Sequence, residues 1–134
     1  MNRTIIGIAA VCIAGFSLSA QADAIAELEA KYRTQGTTEF TASNGQALWN
    51  KTFKDAKTSE QRNCSSCHGD DLTRSGKHNS TGKVIDPMAP SVNTKRLTDT
   101  RKIEKWFLRN CKWTLGRECN AQEKGDVLAF LKTL

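Results

Sequence analysis

Asn63-Cys64-Ser65-Ser66-Cys67-His68-Gly69 decides how the chain is read. Two cysteines separated by two residues, with a histidine directly after the second, form the attachment pattern for a c-type haem. The chemistry requires that spacing: the two thiols add across the two vinyl groups of one porphyrin edge, and the adjacent imidazole turns back to the iron. His68 is therefore the proximal axial ligand, and Cys64 and Cys67 hold one covalent haem c. The competing readings are a chance match, half of a zinc site and a thioredoxin-like redox pair. Zinc needs a second pair of ligands at close spacing, and none follows. A redox pair belongs between a strand and a helix, and no strand is expected before Cys64.

Upstream, Met1-Asn2-Arg3 precedes an apolar run from Ile5 to Phe16, and Ala20-Gln21-Ala22 supplies an A-x-A cleavage site. Residues 1–22 read as a secretory signal peptide that carries Cys12 away and directs the protein to the periplasm. A membrane anchor is disfavoured, because the run is short of the about 18 to 20 residues that span a bilayer. Residues 23–134 remain, 134 − 22 = 112 in all, enough for one monohaem domain and expected to be a monomer. The chain has 20 basic and 14 acidic residues, and losing Arg3 leaves 19 − 14 = +5. Two ionised propionates lower that by about two. The basic residues are scattered, so nucleic acid is not an expected partner and an acidic redox protein is, with Lys77, Lys83 and Lys112 as candidate docking lysines. Cys111 and Cys119 are left over, and a disulfide is the default for such a pair in an exported protein, two free thiols the alternative.

The remaining pattern is helical, with no alternating strand. Asp23 to Arg33 places Ile25, Leu28 and Tyr32 on one face. A second helix is expected from Ser43 or Asn44 as cap, through Gly45, Leu48, Trp49 and Phe53, to an end among Lys54 to Lys57. The polar segment from Asp70 to Thr98, with Gly76, Gly82, Pro87 and Pro90, is long for a loop without a task and can wrap the haem edge. Thr98 or Asp99 then caps a helix whose Ile103, Trp106, Phe107 and Asn110 follow the i, i+3, i+4, i+7 pattern. Asn110 thus falls on the apolar stripe, as a satisfied core amide or as a ligand. Asn120 with Glu123 resembles a capping box, opening a last helix with Val127, Leu128, Phe130, Leu131 and Leu134 on its apolar side.

A helix before Cys-x-x-Cys-His and another closing the chain resemble the all-α class I cytochrome c fold, in which the first and last helices cross. Gly45 and Trp49 against Gly125, Leu128 and Phe130 are the expected crossing residues. Five segments extend the resemblance: His68-Gly69, Asp86-Pro87-Met88-Ala89-Pro90-Ser91, Glu104-Lys105-Trp106, Arg109-Asn110-Cys111 and Gly116-Arg117-Glu118-Cys119. Together they are similar to the SHP (sphaeroides haem protein) type of monohaem cytochrome c, over about residues 40–134. The resemblance implies a high-spin haem contacted by Trp106, iron ligated by Asn110, and a disulfide between Cys111 and Cys119. It also implies that the asparagine leaves the iron on reduction and that the open ferrous site binds small diatomics such as O2, NO and CO. A dihaem cytochrome c and a membrane cytochrome b are the electron donors it suggests.

Three side chains compete for the sixth position. Met88 stands 88 − 68 = 20 residues after the histidine, where such folds run a haem-packing loop. A proline carbonyl of that loop, Pro87 or Pro90, suits a hydrogen bond from the proximal imidazole. His78 lies in a glycine-flanked run and reads as an exposed histidine. Asn110 is favoured once helix phase and resemblance are counted. An amide oxygen is a hard, weak-field donor that prefers ferric to ferrous iron, whereas a Met ligand makes a conventional electron carrier. No catalytic acid or base can be picked out, so oxidase or nitric oxide dioxygenase turnover rests on analogy.

Overall fold

The computed structural model describes residues 16–134; Cys12 and the apolar run before Phe16 lie outside the described residues. In chain order the elements are α1 (Phe16–Arg33), α2 (Ala42–Asn50), β1 (Phe53–Lys54), β2 (Gln61–Arg62), α3 (Ser65–His68), β3 (Gly76–Lys77), β4 (Val84–Ile85), α4 (Thr100–Leu115) and α5 (Ala121–Leu131). The all-α, class I cytochrome c-like expectation holds. Two antiparallel hairpins are added to it, Phe53 pairing Arg62 and Gly76 pairing Ile85. Ladders two residues long leave no alternation in a sequence, which is why these strands, one of them ending two residues before Cys64, were not expected.

The helix expected from Asp23 is the later part of α1. Its Ile25, Leu28 and Tyr32 are buried together with Phe40, Ile103, Leu128 and Ala129. Leu128 has no exposed surface, and burying such a side chain stabilises the fold by about 1.5–3 kcal/mol. The second helix is shifted and shorter than expected. Its cap is Thr41, not Ser43 or Asn44: the Thr41 hydroxyl accepts from Asn44 N at 3.3 Å, and Thr41 N donates to the buried Asp126 carboxylate at 2.8 Å. It stops at Asn50 rather than among Lys54 to Lys57, and Phe53 passes into β1. Cys64 N donates to Trp49 O at 3.4 Å, so the haem motif occupies a carbonyl at the helix end.

α2 crosses α5 where Gly45 has no side chain. A Cβ there would collide with the Asp126 carbonyl and come within 2.8 Å of Phe130 Cβ. Trp49 and Phe130 complete the crossing edge-on, centroids 6.1 Å apart. Gly125 does not face α2 as expected: the space beside it is filled by the Phe40 ring. α4 is capped by Asp99, which accepts from Arg101 N and Lys102 N at 3.0 and 3.1 Å. It ends at Gly116 with φ of 74°, a left-handed conformation that favours glycine. The capping box of Asn120 and Glu123 is present at the start of α5.

Candidate haem site

The motif is a single helical turn. His68 N donates to Cys64 O at 3.1 Å, and Asn63 and Ser66 close the turn reciprocally: Ser66 N donates to Asn63 Oδ1 at 2.8 Å, Asn63 N to Ser66 Oγ at 3.2 Å. Positions 64, 67 and 68 stand at i, i+3 and i+4, which puts all three side chains on one helix face. The β3–β4 hairpin approaches this turn closely at Gly76. A Cβ on Gly76 would run into the Cys67 carbonyl and stand 2.8 Å from His68 Cα.

His68 is packed against Trp49, ring centroids 5.3 Å apart. Burial, with the nearby Arg96 charge adding to it, pushes its imidazole down to about 4. It is uncharged at neutral pH, the form that binds metal. Its buried Nδ1 has no hydrogen-bond partner. Pro87 therefore does not fill the expected role beside the imidazole, and Pro90 does not either. The Pro87 carbonyl accepts instead from Asn93 Nδ2 at 3.0 Å and Arg96 Nε at 2.9 Å, which occupy both of its lone pairs. Arg96 Nη2 also reaches Asp86 O at 2.6 Å. Cys64 and Cys67 are free thiols; burial, then the neighbouring Cys67, raise Cys64 to about 11. Two cysteine sulfurs and a neutral, partly buried imidazole on one face of a single turn are the donor set that a covalently attached haem requires, and the residues fit it.

Of the candidates for the other axial position, Met88 packs into the apolar cluster of Trp49, Leu72, Val127 and Phe130, and its N–H donates to Leu72 O at 3.0 Å. His78 is exposed at the β3–β4 turn, where its Nδ1 accepts from Ser80 N and Thr81 N at 3.2 and 3.3 Å. Asn110 was expected on the inward stripe of α4, and the structure corrects this. Ile103 is buried and Phe107 packs against both core clusters, whereas Trp106 is 49 % exposed and Asn110 is exposed. The stripe is thus two adjoining i, i+4 rows, an inner one of Ile103 and Phe107 and an outer one of Trp106 and Asn110. The reading of Asn110 as a buried, satisfied amide is removed. Cys111 and Cys119 are both buried, with Sγ atoms 2.00 Å apart.

Three contributors were missed in the sequence: Asn93 and Arg96, which hold the Pro87 loop, and Arg62, which reaches α4. Asn93 and Arg96 stand at i, i+3 just after the proline-rich loop, a spacing that places two donors together; the acceptor, a backbone carbonyl, is invisible in a sequence. Trp49, expected only at the helix crossing, also packs on His68.

Residues 35–131 match the family described as "Domain of unknown function (DUF1924)". The chain is 42 % identical over 106 residues to the cytochrome c-type protein SHP of Cereibacter sphaeroides, covering 79 % of this chain and 81 % of that protein. Among solved structures it is similar to oxidized SHP, described as an oxygen-binding cytochrome c, with TM-score 0.72 and 39 % identity over 82 % of this chain and 96 % of the other. It is also similar to the solution structure of Methylophilus methylotrophus cytochrome c'', described as giving insights into haem-ligand detachment, with TM-score 0.69 and 31 % identity over 87 % and 95 % of the two chains. The motif turn, the crossed helices that carry it and these likenesses lead to one conclusion: the chain belongs to the SHP-type cytochromes c, a family of haem proteins.

Proposed function

We propose that this protein is an exported monohaem cytochrome c whose iron is ligated by His68 and, when ferric, by Asn110, which leaves on reduction so that O2, NO or CO can bind. Cys64 and Cys67 hold the haem covalently. When bound, the haem would supply a redox-active iron. His68 would hold it through a neutral imidazole, kept so by burial. Asn110 would offer a weak-field amide oxygen, a donor that ferrous iron releases more readily than ferric. Its amide NH2 would then be a hydrogen-bond donor suited to steady a polar diatomic. Electrons come from an acidic redox protein; a dihaem cytochrome c and a membrane cytochrome b are the donors we favour. The protein acts as a monomer in the periplasm. Among the described residues, no helix is long and apolar enough to cross a membrane.

The observation that carries this reading is the exposed row of Trp106 and Asn110 on α4, set against a Met88 engaged in apolar packing. The alternative, a His/Met electron carrier, requires Met88 to leave that cluster. Absorption spectra of the reduced protein with and without carbon monoxide separate the two. A large Soret change on adding the gas supports an open ferrous site; an unchanged low-spin spectrum supports the carrier.

A further inference from the structure

Arg62 lies two residues before Cys64, on β2, and its side chain crosses to α4. Its Nη1 donates to Trp113 O at 3.0 Å and stands 2.8 Å from Asp55 Oδ2. Its Nε and Nη2 both donate to Glu60 Oε2, at 3.0 and 2.8 Å. The guanidinium also stacks 4.6 Å from the centre of the Trp113 ring. Only 14 % of this side chain is exposed. The planar fork of arginine serves these acceptors and the ring at once, which lysine cannot.

Trp113 O is one of the last four carbonyls of α4, and such carbonyls have no donor within their own helix. A cation at a helix C-terminus is further favoured by the helix dipole. Arg62 therefore caps the end of the helix that carries Asn110, whose Cα lies less than one turn before Trp113. The same residue belongs to the strand that leads into Cys64 and His68. One guanidinium thus joins the two segments that hold the proposed iron ligands.

We infer that Arg62 is a positioning residue for Asn110, and that its hold on the end of α4 sets how readily the asparagine yields the iron to another ligand. This rests on the ligation by Asn110 proposed above. Without the clamp the last turn of α4 opens more often, and a weak-field ligand does not draw the helix back. A residue that merely stabilised the fold would lower the melting temperature without altering competition at the iron.

The test uses the ferric holoprotein with Arg62→Gln and Arg62→Lys, each made with and without Asn110→Ala. Imidazole association is followed well below the melting temperature, together with amide hydrogen exchange in residues 110–115. With Asn110 present, Arg62→Gln should bind imidazole about tenfold faster, the equivalent of one hydrogen bond to a charged group, and should exchange faster in the last turn of α4. In the Asn110→Ala background, Arg62→Gln should leave the imidazole rate unchanged. An unchanged rate with Asn110 present, or an equal acceleration without it, overturns the inference. Should Arg62→Gln fail to fold, Arg62→Lys carries the same comparison with a smaller expected acceleration. If Asn110→Ala by itself changes neither the ferric spectrum nor imidazole binding, the ligation reading is what has failed, and this inference falls with it.

Discussion

The indole of Trp49 lies 5.3 Å from the imidazole of His68, centroid to centroid, and tilted by 47°. The same indole meets Phe130 at the α2–α5 crossing, so His68 leans on the residue that locks the two helices together. A methyl group at Gly45 would force this crossing apart, since it meets the Asp126 backbone and Phe130 Cβ. Overpacking of this kind costs about 1–3 kcal/mol. Gly45→Ala should lose that much in urea unfolding of the holoprotein and should also shift the Soret band through Trp49 and His68. An unchanged midpoint and spectrum would show that the crossing does not support the site.

The Cys111–Cys119 disulfide closes a ring directly after Asn110. In the loop-entropy model such a ring stabilises the fold by roughly 2–3 kcal/mol. We expect it also to restrain the end of α4, so the double change Cys111→Ser with Cys119→Ser should speed imidazole or nitric oxide association to ferric iron in protein that is still folded. Equal rates in variant and parent leave the ring a purely structural role.

Of the three candidate docking lysines, Lys112 is already ion-paired with Glu118 at 3.1 Å. Lys77 and Lys83 are exposed on the β3–β4 hairpin, which packs on the haem turn through Gly76. Lys77→Gln with Lys83→Gln should slow reduction by an acidic cytochrome donor roughly threefold at low salt, and the difference should fade as salt screens steering. A parent rate that is flat from low to high salt contradicts an electrostatic docking site here.

Glu104 joins three helices, bonding Lys31 of α1 at 2.9 Å and Lys124 of α5 at 2.7 Å. Burial pushes its carboxyl up, but the two lysines together outweigh that and hold it below its ordinary value. A carboxyl lowered in the folded state stabilises the fold above the unfolded pKa of about 4.3 and loses that contribution as pH falls through the folded value. The pair sits near solvent, so the effect is on the order of 1 kcal/mol. The melting temperature should therefore drop from pH 5 to pH 3 by less in Glu104→Gln than in the parent. Parallel curves would remove Glu104 from the acid response.

The haem turn and the capping box were legible because both are local: a fixed spacing of cysteines and histidine, and an Asn–Glu pair three residues apart. The start of α2 was not, because Thr41 is chosen by Asp126 from the far end of the chain. Helix phase put Asn110 on the apolar stripe of α4, whereas the residue is exposed; phase could not separate its row from that of Phe107, since neighbouring rows differ only in what packs against them. Arg62 and Arg96 were out of reach for a similar reason. Each acts on a backbone carbonyl, Trp113 O or Pro87 O, and every residue carries one.

Ligation of the iron by Asn110 is tested most directly by the ferric absorption spectra of Asn110→Ala and Met88→Ala, recorded beside the parent. Asn110→Ala should change the ferric spectrum and accelerate the binding of added imidazole, and Met88→Ala should leave the spin state of the ferric iron as it is. An unaltered spectrum in Asn110→Ala, together with conversion of Met88→Ala from low to high spin, would contradict ligation by Asn110 and make Met88 the ligand.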